Sequence, residues 1–139
     1  MIDASVAVKW VIPEPFADRA RTLLEADGMY APAHWLAEAV NAVRKRASRE
    51  QLSADDAREC ASTLVDAPVT PVPLSELLMP AMDLAIRLRI SIYDALYVAL
   101  AAGRQIPLIT DDRTLLMRMA TEPTLAPLAL PLEKLPEGG

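Results

Sequence analysis

Cysteine and histidine are almost missing from this chain: Cys60 and His34 are the only ones. A single cysteine excludes an internal disulfide. Its place among Ala57, Ala61 and Leu64 reads as a small apolar side chain in a helical pattern. A single histidine excludes an acid–base ribonuclease that needs two, and beside Trp35 it reads as structural. There is no Cys/His cluster for zinc, no G-x-S-x-G elbow for a serine hydrolase, and no phosphate loop among the four glycines. No run approaches the ~18 apolar residues of a membrane span. The opening Met1-Ile2-Asp3 lacks the basic stretch and apolar run of a signal peptide. A cytoplasmic protein outside the membrane is therefore expected.

An excess of positive charge is also lacking. The formal net charge is −5, which argues against a protein that holds nucleic acid by charge alone. It does not argue against a nuclease that gathers carboxylates around cations, because a metal reverses the local sign. It also suits a basic protein partner.

What the chain does have is apolar periodicity. With 139 residues, 53% of them hydrophobic, one domain with one core is expected. We place it over residues 1–135, with a loose Pro/Glu/Gly-rich tail over 136–139. Met1–Ala4 reads as a short strand ending at Asp3, and residues 15–26 as a helix. Residues 28–31 read as a strand closed by Pro32. Leu36, Ala39, Val40, Val43 and Ala47 predict a helix from Ala33 to Arg49. Ser53, with Asp55 and Asp56, opens another. Val69–Val72 reads as an edge strand because of Pro71 and Pro73. Ser75 and Glu76 open a helix to Leu88. Ser91 caps a helix through Ala102, with Gly103 near its end. Pro107–Thr110 reads as a strand, Arg113–Ala120 as a helix, and residues 125–130 as a last strand. Alternating strands and helices predict a mostly parallel sheet covered on both faces.

The acids fall at informative places. Asp3 ends the first strand, and Asp111 and Asp112 end a later one. Asp94 lies in the first turn of one helix, and Glu38 about a turn into another. In an open parallel sheet, ligands bind at the carboxyl ends of the strands, where such acids can converge. Converging carboxylates repel unless a cation offsets them, and oxygen-only ligands favour Mg²⁺ or Mn²⁺. Phosphodiester hydrolysis is the reaction such a site suits.

Four blocks carry a resemblance. Met-Ile-Asp-Ala-Ser-Val-Ala-Val-Lys-Trp at the start resembles the opening of PIN-domain ribonuclease toxins of the VapC family, from type II toxin–antitoxin systems. Residues Trp35–Val43, Ser91–Ala101 and Leu108–Leu115 resemble that family's later motifs, in the same order. The resemblance implies an α/β, PIN-like (Rossmann-like) three-layer fold with a five-stranded, mostly parallel sheet flanked by helices. It implies a Mg²⁺- or Mn²⁺-dependent endoribonuclease, a homodimer, and a cognate antitoxin protein that blocks the site. Carried over, Asp3 and Asp94 are direct metal ligands, with Glu38 and Asp112 completing the acidic pocket. Ser5 and Thr110 are hydroxyls supporting the carboxylates. Asp112 matches the family's Thr-x-Asp, yet the adjacent Asp111 is acidic where the family is not, so either acid fits. The first strand is also unusually short.

Other features have plainer alternatives. The basic end of the Ala33–Arg49 helix (Arg44, Lys45, Arg46, Arg49) and Arg113 are candidates for RNA phosphate contacts; a solvated helix end is the alternative. Trp10, Trp35, Tyr93 and Tyr97 read as core or groove lining. The rival function is a PIN-fold module that binds RNA or protein without cutting, and the complete set of acids argues against it. A DxD phosphatase would need a second acid where Ser5 stands.

Overall fold

The computed structural model describes residues 1–26 and 28–138. Gly139, part of the expected tail, lies outside the described residues. Seven α-helices and four short strands are present among them: α1 (Ala4–Ala7), α2 (Ala17–Thr22), β1 (Tyr30–Pro32), α3 (Trp35–Ser48), α4 (Ala54–Val65), β2 (Thr70–Val72), α5 (Leu78–Leu88), α6 (Ile92–Arg104), β3 (Leu108–Thr110), α7 (Arg113–Ala120) and β4 (Ala129–Pro131).

Local chemistry explains most boundaries. Ser53 Oγ accepts the Asp56 amide at 3.1 Å and starts α4, and Ser91 Oγ accepts the Asp94 amide at 3.1 Å and starts α6. In α3 the buried face is Trp35, Ala39 and Val43, at the expected helical spacing. Pro80 sits in the first turn of α5, where amides have no helical partner to lose. Residues 95–101 of α6 are all buried, so this helix runs through the centre of the molecule. It packs on both β1 and β3.

The strands pair in parallel. β1 lies beside β2, with Ala31 opposite Pro71, and β3 beside β4, with Ile109 opposite Leu130. Ile2 forms a parallel bridge to Ile109. The Ile109 amide donates to Met1 O at 2.9 Å and the Asp3 amide to Ile109 O at 3.3 Å. Extended segments are thus present near all five expected strands, but the last is displaced: Ala126–Leu128 is a 3-10 turn, and β4 begins only at Ala129, against the expected 125–130. They form two separate pairs and one bridge, rather than one continuous five-stranded sheet. Three residues per strand, with Pro32, Pro71 and Pro131 lacking amides, leave few ladder bonds to make.

The first strand stops at Asp3, whose carbonyl accepts the amides of Val6 and Ala7 and turns the chain into α1. A 3-10 turn, Val8–Trp10, follows directly. Helix α6 runs past Gly103 to Arg104, and Gln105 takes the left-handed conformation (φ 53°) that the sequence reserves for glycine. Near the end of the chain, the Gly138 amide donates to Asp18 and Glu137 pairs with Arg19.

One apolar cluster joins Ile2, Val6 and Trp10 to Leu64, Leu84, Leu96, Leu108, Leu115 and Leu132. Leu108 is fully buried on β3, the strand that leads to Thr110. Leu108→Ala is expected to lower unfolding free energy by about 2–5 kcal/mol, read from urea denaturation with an unchanged m-value. A loss under about 1 kcal/mol would show that this strand is not part of the core.

Candidate active site

The site begins with the pairing of residues 1–3 along β3. That register sets Asp3 beside Thr110, 107 positions away in sequence. The Asp3 side chain is buried, and each of its oxygens is held by a hydroxyl. Ser5 Oγ donates to Oδ1 at 2.6 Å, and Thr110 Oγ1 donates to Oδ2. Both hydroxyls are themselves oriented by backbone: Ser5 Oγ accepts the Asp111 amide at 3.1 Å, and Thr110 Oγ1 accepts the Asp112 amide at 3.0 Å. Two relays therefore run from the turn after β3 to the two oxygens of one carboxylate. Burial pushes the Asp3 carboxyl up to about 6; the hydroxyl bonds counter this, and the nearby Asp112 charge adds to it.

The other acids approach from three elements. Asp94 is half-buried in the first turn of α6. Burial raises its carboxyl first, and the charges of Asp112 and Glu38 raise it further. Asp112 caps α7, its Oδ1 accepting the Leu115 amide at 3.0 Å. It both ends a loop as a helix cap and faces Asp3 and Asp94 as a charge. Glu38, on α3, accepts from Tyr97 OH at 2.8 Å and from His34 Nε2 at 2.9 Å. Burial opposes its ionisation, yet these two donors outweigh it and hold the carboxyl below its ordinary value. Asp3, Asp94, Asp112 and Glu38 thus form one electrostatically linked chain.

The two adjacent acids after β3 part company. Asp111 turns away, pairing at 3.2 Å with Lys9, whose side chain is only 5% exposed. Lys9 also lies 3.6 Å from Glu14, which in turn pairs with Arg46. Arg46 is therefore engaged within the chain. Arg44 bonds Asn41 at 2.9 Å, and Lys45 is exposed. These basic residues lie about 10 Å along α3 from Glu38, at 1.5 Å per residue. Arg113 is nearer, exposed beside Asp112 and 4.0 Å from Glu133. It borders a cleft of about 240 Å³ that also touches Thr110, Leu116 and Met117.

Sequence reasoning passes over Lys9 and reads His34 only as structural and Tyr97 only as core or groove lining. Lys9 had a signal, a lone charge between Val8 and Trp10 in an apolar run. Tyr97 and His34 had only their spacing, three residues from Asp94 and four from Glu38. Among the described residues, no three His, Cys, Asp or Glu side chains stand close enough to enclose a cation by themselves. The donor set is nevertheless all oxygen, and the Asp112 charge raises the proton affinity of Asp3 and Asp94, as the Glu38 charge does that of Asp94. That chemistry fits a hard divalent ion that keeps part of its water shell.

Sign matters for the pH response of the metal-free chain. Asp3 has an ordinary value of 3.8 and a folded value of about 6. Between these, the folded chain keeps a proton that the unfolded chain has released, so stability falls as pH rises. The full loss, on the order of 3 kcal/mol, is reached above about pH 6. Asp3→Asn is expected to flatten this decline and to be the more stable form at pH 7 in EDTA, measured by urea denaturation across pH 4–7. Parallel pH profiles for both forms would contradict the buried, ionised Asp3.

Residues 1–120 match the PIN domain family model. Ribonuclease VapC12 of Mycobacterium tuberculosis is 31% identical over 112 residues, covering 81% of this chain and 85% of that protein. VapC ribonuclease Mb0985 of Mycobacterium bovis is 32% identical over 112 residues, covering 81% and 84%. The crystal structure of PAE2754 from Pyrobaculum aerophilum superimposes with a TM-score of 0.65 at 22% identity, over 95% of this chain and 87% of that one. With the match running from Asp3 through Asp112, the chain belongs to the PIN-domain family, on the VapC branch.

Proposed function

We propose that this protein is a Mg²⁺- or Mn²⁺-dependent endoribonuclease, the toxin of a type II toxin–antitoxin pair. The observation that carries the reading is the linked set of acids. A buried Asp3, pinned through both oxygens, stands within electrostatic reach of Asp112, which reaches Asp94, which reaches Glu38. Such a chain of like charges is costly to a fold unless a cation offsets it. The names of the VapC relatives support ribonuclease activity, and their PIN fold supports reading the five extended segments as the strands of one family sheet.

Asp3 and Asp94 are the direct ligands in this proposal, with Asp112 and Glu38 holding the ion directly or through water. A bound divalent ion supplies charge compensation at the phosphate and acidifies a water for in-line attack. The chain's own residues do the rest. Ser5 and Thr110 keep Asp3 from rotating. The Leu115 amide fixes Asp112, and the Ser91 cap fixes the turn that carries Asp94. Glu38, with 37% of its side chain accessible, orients the attacking water. Hydrolysis leaves a 5′-phosphate. Arg113, Arg44 and Lys45 are the candidates for phosphate contacts.

A cognate antitoxin, a homodimer and a cytoplasmic setting belong to the same reading. Leu78, Met79, Met82 and Ile86 form an exposed apolar stripe on α5, which supports a protein contact. No helix among the described residues is long and apolar enough to cross a membrane.

The test is cleavage of total RNA. Activity is expected with Mg²⁺ or Mn²⁺, is lost with EDTA, and falls at least roughly a hundredfold in Asp94→Asn. Cleavage that survives both treatments would reject the metal-dependent mechanism. Metal-free RNA binding without turnover would favour the non-cutting alternative.

A further inference from the structure

The two oxygens of Glu38 are treated unequally. Both donors that reach the side chain end on Oε1: Tyr97 OH at 2.8 Å and His34 Nε2 at 2.9 Å. His34 Nε2 also lies 3.0 Å from the Tyr93 carbonyl oxygen. Both neighbours are acceptors, so Nε2 carries the ring proton and shares it. Nδ1 is buried without a partner. Among the described residues no donor reaches Oε2.

Tyr97 is 1% exposed and lies one helical turn beyond Asp94 on α6. Residues three apart share a helix face, so one rigid element carries both an acid of the site and the hydroxyl that grips another. Glu38 has a strong reason to be gripped. The Asp94 charge repels it, and 37% of its side chain is open to solvent.

We propose that Tyr97, assisted by His34, is a positioning residue that holds Glu38 by Oε1 and leaves Oε2 free for the ion-binding pocket. This rests on the metal-dependent reading above. It adds to that reading that the pocket's geometry is set from α6, through a core tyrosine. Burial and the Glu38 charge hold the phenol well above its ordinary range, which keeps it a donor at neutral pH.

The test is a double-mutant cycle on the RNA-free chain, with Mn²⁺ binding read by calorimetry. Tyr97→Phe is expected to weaken binding about tenfold, the scale of one hydrogen bond to a charged group. In a Glu38→Gln background the same change is expected to alter binding less than about twofold, because its target is gone. In the metal-free chain, the Glu38 carboxyl ¹³C resonance is expected to move in Tyr97→Phe. Equal weakening in both backgrounds would reveal a merely structural tyrosine and overturn the proposal. So would unchanged affinity in Tyr97→Phe when Asp94→Asn abolishes binding, an outcome that leaves the metal reading intact. No Mn²⁺ binding by the unsubstituted chain would overturn both. If Tyr97→Phe does not fold, His34→Gln enters the same cycle, with the same expected and overturning results.

Discussion

Everything in the site hangs on the parallel contact between the first three residues and β3. It is little more than one bridge, Ile2 to Ile109, flanked by two backbone hydrogen bonds. Yet it brings Asp3 under the hydroxyl of Thr110 and closes Ser5 onto the Asp111 amide. The carboxylate is then fixed from both sides before any ion or substrate arrives. The bridge is protected from water by the core around it: Ile2 and Leu108 are fully buried, and α6 packs on β3 from the interior. Hydrophobic burial thus supplies the energy, and the short ladder supplies the register.

The remaining acids are managed by different devices, each suited to its position. Asp112 is tied to the positive end of α7, Asp94 follows a serine cap, and Glu38 is bonded by a tyrosine and a histidine. Asp111, the fifth acid nearby, is removed from the group by Lys9. A buried ammonium is expensive to keep unless paired; here it pairs with Asp111 and Glu14. One effect of that pair is to separate two neighbouring aspartates into distinct surroundings. The molecule therefore concentrates negative charge in one place while preventing an adjacent carboxylate from joining it.

Much of this was legible in the linear chain, for definable reasons. Helices α3, α4, α6 and α7 were readable because their signals are local: serine caps, first-turn acids and three-to-four residue apolar spacing. That Asp112 lies within electrostatic reach of Asp3 and Asp94 accords with where acids fall relative to predicted strand ends. The choice between Asp111 and Asp112 was open because both follow Thr110 and only the position of Lys9 separates them. The grip of Tyr97 on Glu38 joins side chains 59 residues apart, and no local pattern encodes it. The strands were overestimated for a related reason. Composition shows where a chain is extended, but prolines at 32, 71 and 131 decide how much of it can pair.

Asp112 serves two masters, and that has a hereditary consequence. As the cap of α7 it must present an oxygen to the Leu115 amide; as a member of the acid chain it must carry charge. Asparagine meets the first demand and fails the second, since it caps helices about as well as aspartate. A single-base change in the codon suffices to make that exchange. Descendants that keep the fold and the helix cap but lose this charge therefore lie one mutational step away, whereas most other replacements at this position would loosen the helix as well.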